Sequence, residues 1–118
     1  MGAVSPNGVG REAFAAAALA GTSGVGRISH FDPSEIPVQI AGEVRGFDEL
    51  AWVDKRERKH VSRVLPLALA AANEALEHAG IDAASLPLEE RRRFAVILGS
   101  GGGSQEFTEE QYRLFFQQ

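Results

Sequence analysis

Residues 94–107, "FAVILGSGGGSQEF", combine a short apolar run, six glycine and serine residues from Gly99 to Ser104, and the start of an acidic segment. "FAVIL" (94–98) shows no polar alternation, which predicts a strand buried on both faces. The segment after the glycines, "SQEFTEEQYRLFF", reads as a helix. Ser104 is its candidate cap, and Thr108 with Gln111 has capping-box spacing. Phe107, Gln111, Leu114 and Phe115 share one face of it. A strand covered on both sides needs neighbouring strands and two covering layers.

The remaining chain offers little to supply them. "VQIAGEV" (38–44) alternates, with Val38, Ile40, Gly42 and Val44 on one side, and predicts a half-buried strand. "MGAVSPNGV" and "GTSGVG" read as turns and loop, and Asp32-Pro33 disfavours helix. A first helix is expected from about Gly10 to Ala20, stopped by Gly21. A long second helix is expected from about Asp54 to His78. Asp54 would cap it, Gly80 would end it and Pro66 would kink it. "DAASLPLEERRR" returns over the surface. Two strands totalling about a dozen residues fall below the usual strand share of a domain. The 118-residue chain is therefore expected to be part of something larger or to pair with another chain, and to aggregate or be partly molten alone.

Composition narrows the chemistry. The chain is 44% hydrophobic and 24% charged, as in a globular protein, with net charge −4, which gives no general reason to expect nucleic acid. It has no cysteine, so it carries no disulfide, thiolate metal site or cysteine nucleophile. The longest uncharged apolar run, 64–72, is too short to span a bilayer. "AFAAAALAG" reads as helix rather than as the core of a signal peptide, because Glu12 abuts it.

The glycine turn fails as a phosphate cradle. No lysine follows it, as a Walker loop requires, and Ser104 stands where a dinucleotide fingerprint has its third glycine. Glu106, Glu109 and Glu110 would repel a phosphate there. The alternatives are a tight strand-to-helix turn or a wall of bare backbone beside a ligand chain. Ser100 lacks the flanking glycine pattern of a nucleophile elbow. His30, His60 and His78 have no metal-ligand spacing. On the expected helix, Arg56, Lys59, His60 and Arg63 recur at i, i+3, i+4 and i+7 as one basic stripe, flanked by Lys55 and Arg58. Such a stripe is either a solvated face or a dock for an acidic partner.

Taken together, "GAVSPNGVGREAF", "LAGTSGVGRISHFDPSEIPVQIAGEV", "DKRERKH", "ALAAANEALEHAGI" and "FAVILGSGGGSQEF" resemble, in order, the N-terminal part of an elongating β-ketoacyl-acyl-carrier-protein synthase. The resemblance implies an α/β fold, a partial thiolase-like αβαβα arrangement lacking the family's first strand and its catalytic half. Residues 1–118 would be an incomplete N-terminal synthase domain. The implied parent reaction is a decarboxylative Claisen condensation on acyl and malonyl carrier protein, in the cytoplasm, by a homodimer. No cofactor, metal or catalytic residue falls in this stretch; the family's cysteine, two histidines and lysine come later. The resemblance assigns carrier-protein docking to Arg56, Lys59 and His60, and raises the docking reading of the whole stripe, Arg63 included. His60 replaces the usual lysine or arginine. It places Gly101 and Gly102 in the acyl pocket, Gly102 where other members carry a larger gating residue. It sets the last helix, with Phe107, Tyr112, Phe115 and Phe116, near a dimer interface. The alternatives are a non-catalytic module that binds an acidic carrier protein, and a nucleotide-binding fragment.

Overall fold

The structure is a computed structural model that describes residues 1–102 and 104–117. Val4–Ser5 (β1) and Gly8–Val9 (β2) form a small antiparallel hairpin, followed by helix α1, Arg11–Leu19. Val25–Arg27 (β3) pairs antiparallel with Ile40–Gly42 (β4), Gly26 opposite Ala41. Two single turns of 3₁₀ helix follow, Glu49–Ala51 and Arg58–His60. Helices α2 (Val64–His78), α3 (Leu88–Arg91) and α4 (Gln105–Phe116) complete the described elements.

Both expected helix stops hold. Gly21 (φ 66°) and Gly80 (φ 67°) take the left-handed conformation that spares them a Cβ clash. Thr22 N donates to Ala17 O and Ile81 N to Leu76 O, each closing a Schellman turn on the last free carbonyls.

The second helix departs from expectation. It begins at Val64, not Asp54, and Pro66 does not kink it. Pro66 is the third helical residue, where a missing N–H costs nothing because no intrahelical acceptor awaits it. A helix continuing back through residue 62 would drive the proline ring into the Ser62 carbonyl. Leu65 N instead makes a shorter-range bond to Ser62 O, 3.1 Å. Asp54 does cap, but only a local turn: its Oδ1 accepts from Arg56 N at 2.8 Å.

The strands also differ. "GTSGVG", read as loop, contributes β3, and "MGAVSPNGV", read as turns, contributes a hairpin. Residues 94–98 form no strand, and Val96 and Ile97 are 84% and 92% exposed. Paired neighbours are what such a strand requires, and the described residues place none beside it. The described residues combine helices with two separate two-stranded sheets, a mixed helix and strand content, and do not by themselves show the partial layered αβαβα arrangement. Ser104 occupies the cap position of α4 without a side-chain bond, and Thr108 and Gln111 lie inside the helix.

The buried apolar centre is small. Val53, Ala70 and the prolines Pro33 and Pro66 are buried among the described residues. Ala70 lies one turn after Pro66 on the same face of α2, and that face continues to Glu74. The radius of gyration is 17.2 Å, against about 13.5 Å for a compact domain of this length. The accessible surface is 9193 Å², against roughly 6,200 Å² expected for this mass. The excess is of the order that a large obligate interface covers.

Candidate functional site

Two buried or half-buried carboxylates fix the first half of the chain. Glu74, on α2, accepts from Ala3 N at 2.8 Å and Arg11 N at 2.7 Å. It thereby ties the hairpin and the first residue of α1 to α2, and the Arg11 N–H above all holds its carboxyl below the usual range. Glu43 follows β4 and is 9% exposed. It accepts from Ser29 N at 2.9 Å, Ser29 Oγ at 2.7 Å and His30 N at 3.3 Å. The Ser29 N–H and hydroxyl are the main causes that hold its carboxyl down at about 2, against the opposing effect of burial. These donors turn Gln39, Ala41 and Glu43 inward. Val38 and Ile40, expected to face the core, are 64% and 61% exposed.

The basic segment sits beside this ribbon. Glu49, in the first 3₁₀ turn, reaches Arg58 Nε with Oε2 (2.5 Å) and Arg63 Nε with Oε1 (2.8 Å). The Arg63 contact is one of charge, since its buried Nε lies off the line of a hydrogen bond. Arg63 Nη2 donates to Val44 O at 2.8 Å, and Nη1 meets His30 Nε2 at 2.6 Å. Arg58 Nη1 donates to Val61 O at 3.1 Å. Both arginines are thus spent inside the fold.

Lys55, Arg56, Lys59 and His60 are exposed. None of their side chains makes an ion pair among the described residues. The helical stripe of Arg56, Lys59, His60 and Arg63 does not exist as such: residues 54–63 are turns and 3₁₀ helix, and Arg63 points its charge at Glu49 and Val44. What remains is a three-residue outward set, Arg56, Lys59 and His60. No sequence signal singled out Glu49, because its role depends on cations nine and fourteen positions on, outside any helical spacing.

The glycine turn is open. A methyl group built on Gly99, Gly101 or Gly102 meets nothing within 4 Å, and none of these glycines has a positive φ. Neither space nor backbone within the described residues calls for glycine there. Gly103, part of the same turn, lies outside the described residues. Beyond it, Phe107, Gln111, Tyr112, Leu114 and Phe115 border an open groove of about 640 Å³ along α4. Phe115 and Phe116 are 70% and 77% exposed. A smaller recess of about 210 Å³ lies between Arg58, Ser62, Arg63 and the start of α4. Among the described residues no three His, Asp or Glu side chains gather as a metal site, and no helix is long and apolar enough to cross a membrane.

Residues 1–117 match the family model described as the N-terminal domain of β-ketoacyl synthase. The chain is 37% identical over 94% of its length to the tetracenomycin polyketide synthase ketoacyl synthase beta subunit of Streptomyces glaucescens, covering 26% of that protein. It is 35% identical over 92% of its length to 3-oxoacyl-[acyl-carrier-protein] synthase 2 of Vibrio cholerae, covering 26% of it. It is 32% identical over 92% of its length to the chloroplastic 3-oxoacyl-[acyl-carrier-protein] synthase I of Arabidopsis thaliana, covering 23% of it. The chain spans about a quarter of the length of the curated relatives it matches. On this match, which runs through the clamped ribbon, the basic segment and the glycine turn alike, the chain belongs to the β-ketoacyl synthase family.

Proposed function

We propose that the chain supplies the N-terminal share of a β-ketoacyl-acyl-carrier-protein synthase, within a thiolase-like αβαβα domain. In that reaction an acyl group is held as a thioester, malonyl carrier protein loses carbon dioxide, and the resulting enolate carbon attacks the acyl carbon, breaking its bond to sulfur and releasing the thiolate that held it. Backbone donors and histidines outside this chain would stabilise the enolate and the tetrahedral state. This chain's own part is recognition. Arg56, Lys59 and His60 would meet the acidic carrier protein, and Gly101 and Gly102 would leave room for the acyl chain. The family match over residues 1–117 carries the reading.

Two local observations support it. The exposed side chains of Lys55, Arg56, Lys59 and His60 have no partner among the described residues, while the neighbouring Arg58 and Arg63 do. The glycines at 101 and 102 answer no local steric or backbone need, as expected where the constraint comes from a ligand or another layer. A cytoplasmic homodimer belongs to the same proposal, supported by the exposed Tyr112, Phe115 and Phe116 on α4.

The test is a chimera in which residues 1–117 replace the matching segment of the Vibrio cholerae synthase. Condensation with malonyl carrier protein is the expected result. Gly102→Ile in that chimera should shorten the acyl chains accepted. A folded chimera that binds acyl carrier protein without condensing, or an unchanged chain-length profile in the Ile variant, would refute the synthase role and the pocket assignment respectively.

A further inference from the structure

Six cations lie between residues 55 and 63 if His60 is counted with Lys55, Arg56, Arg58, Lys59 and Arg63. One carboxylate divides them. Glu49 is 18% exposed and takes Arg58 on one oxygen and Arg63 on the other. These two arginines bracket Lys59 and His60. Arg58 further closes on Val61 O, and Arg63 reaches Val44 O and His30 Nε2. His30 N and Ser29 N are in turn held by Glu43. The segment that shows Lys59 and His60 to solvent, with Arg56 two residues ahead of it, is therefore tethered at 58 and 63 to one acidic residue and, through Arg63, to the ribbon β3–β4.

We infer that Glu49 is a positioning residue for carrier-protein docking: it engages Arg58 and Arg63, which keep 36% and 26% of their side chains exposed, and fixes the 58–63 turn, so that Lys59 and His60, with Arg56 just ahead of the turn, meet an acidic partner as a preset group. The inference rests on the docking reading above and adds to it which residue shapes the surface. A 3₁₀ turn of three residues has little stability of its own. Without the tether the exposed cations would have to be ordered at the moment of binding, at about 0.5–1.5 kcal/mol per immobilised side chain, or roughly two- to tenfold in affinity.

The charge argument makes the test sharp, because it has the opposite sign. Glu49→Gln removes a negative charge beside a basic surface and frees two arginines. Simple attraction would then tighten binding of an acidic partner and steepen its salt dependence. Positioning predicts weaker binding, by about two- to tenfold, with a flatter salt dependence because fewer cations engage together. A general loss of folded protein would lower the binding fraction and leave the salt slope unchanged.

The experiment measures the affinity of the 118-residue chain for phosphopantetheine-bearing Vibrio cholerae acyl carrier protein across a salt series, for four forms. These are the unsubstituted chain, Glu49→Gln, Arg58→Lys, and Arg56→Glu with Lys59→Glu. Arg58→Lys keeps the charge but gives up the guanidinium contact with Glu49, so it should weaken binding in the same direction with the fold intact. Loss of binding in the double reversal, with weaker and flatter binding in Glu49→Gln and Arg58→Lys, is the expected outcome. Loss in the double reversal with equal or tighter binding in Glu49→Gln overturns the positioning role and leaves the docking surface standing. Unchanged binding in the double reversal overturns the docking surface and the inference with it.

Discussion

The ribbon and hairpin region, residues 1–81, and the region from 94 to 117 are built from similar materials, yet the first is held and the second is open. Both contain short apolar strand-like runs and a helix. In the first, Glu74 holds two backbone N–H groups across more than sixty residues of chain, and Glu43 gathers Ser29 and His30. Pro66 and Ala70 seal the small buried face of α2. In the second, Val96, Ile97 and Leu98 are 84%, 92% and 74% exposed, and α4 buries no residue. Charge-assisted bonds to backbone donors can be made locally or between a few segments. A strand apolar on both faces can be satisfied only by a sheet. The contrast is thus between segments constrained within the described residues and segments that the described residues leave exposed.

Several substitutions would break or sharpen this contrast. Gly8→Ala should have the largest effect, about 1–3 kcal/mol of destabilisation, because a Cβ there would lie 2.8 Å from the Ala13 backbone carbon and Cβ at the start of α1. Thermal or denaturant unfolding reads it. Glu74→Ala comes next: the Ala3 and Arg11 amides lose their acceptor, and their hydrogen-exchange protection should fall about tenfold while residues 105–116 stay unchanged.

A smaller, pH-dependent effect belongs to Glu43. Its folded carboxyl titrates at about 2, below its ordinary 4.5. A lowered folded value means the unfolded chain takes up protons first. The stabilisation is therefore complete above about 4.5 and is lost as pH falls toward 2. Glu43→Gln should flatten the stability profile in that window, and a profile identical to the unsubstituted chain would show that the Ser29 and His30 contacts do not matter. The smallest effect should come from Ile97→Asp. Stability should change by no more than about 0.5 kcal/mol, while aggregation falls, because a charge interrupts an exposed apolar run. A loss as large as that of Gly8→Ala would erase the difference between the two regions.

What the sequence made legible followed range. The ends of α1 and α2 were readable because Gly21 and Gly80 act within six residues of the bonds they close. Helix α4 was readable from its own periodicity. The strand β3 was not, since Val25–Arg27 carries no alternation and is defined by a partner some fifteen residues away. The facing of β4 was misread because apolar alternation points Val38 and Ile40 inward, whereas the bonds of Glu43 turn that face out. The basic stripe was misread because the helical periodicity extends back to Asp54, whereas the helix itself begins at Val64. Arg56, Lys59 and His60 survive as an exposed group, and Arg63 leaves it. The turn at Gly101 and Gly102 was legible as bare backbone, and its place in a pocket wall came from the resemblance alone; among the described residues nothing lies within 4 Å of a methyl built there.

The central proposal is that residues 94–98, which form no strand among the described residues, become one in the sheet of a complete synthase. Amide hydrogen exchange at Ala95 to Leu98, measured in the 118-residue chain and in the Vibrio cholerae chimera, tests it most directly. The account predicts rapid exchange in the chain alone and strong protection in a chimera that carries out condensation. Equally rapid exchange at these amides in an active chimera would contradict it.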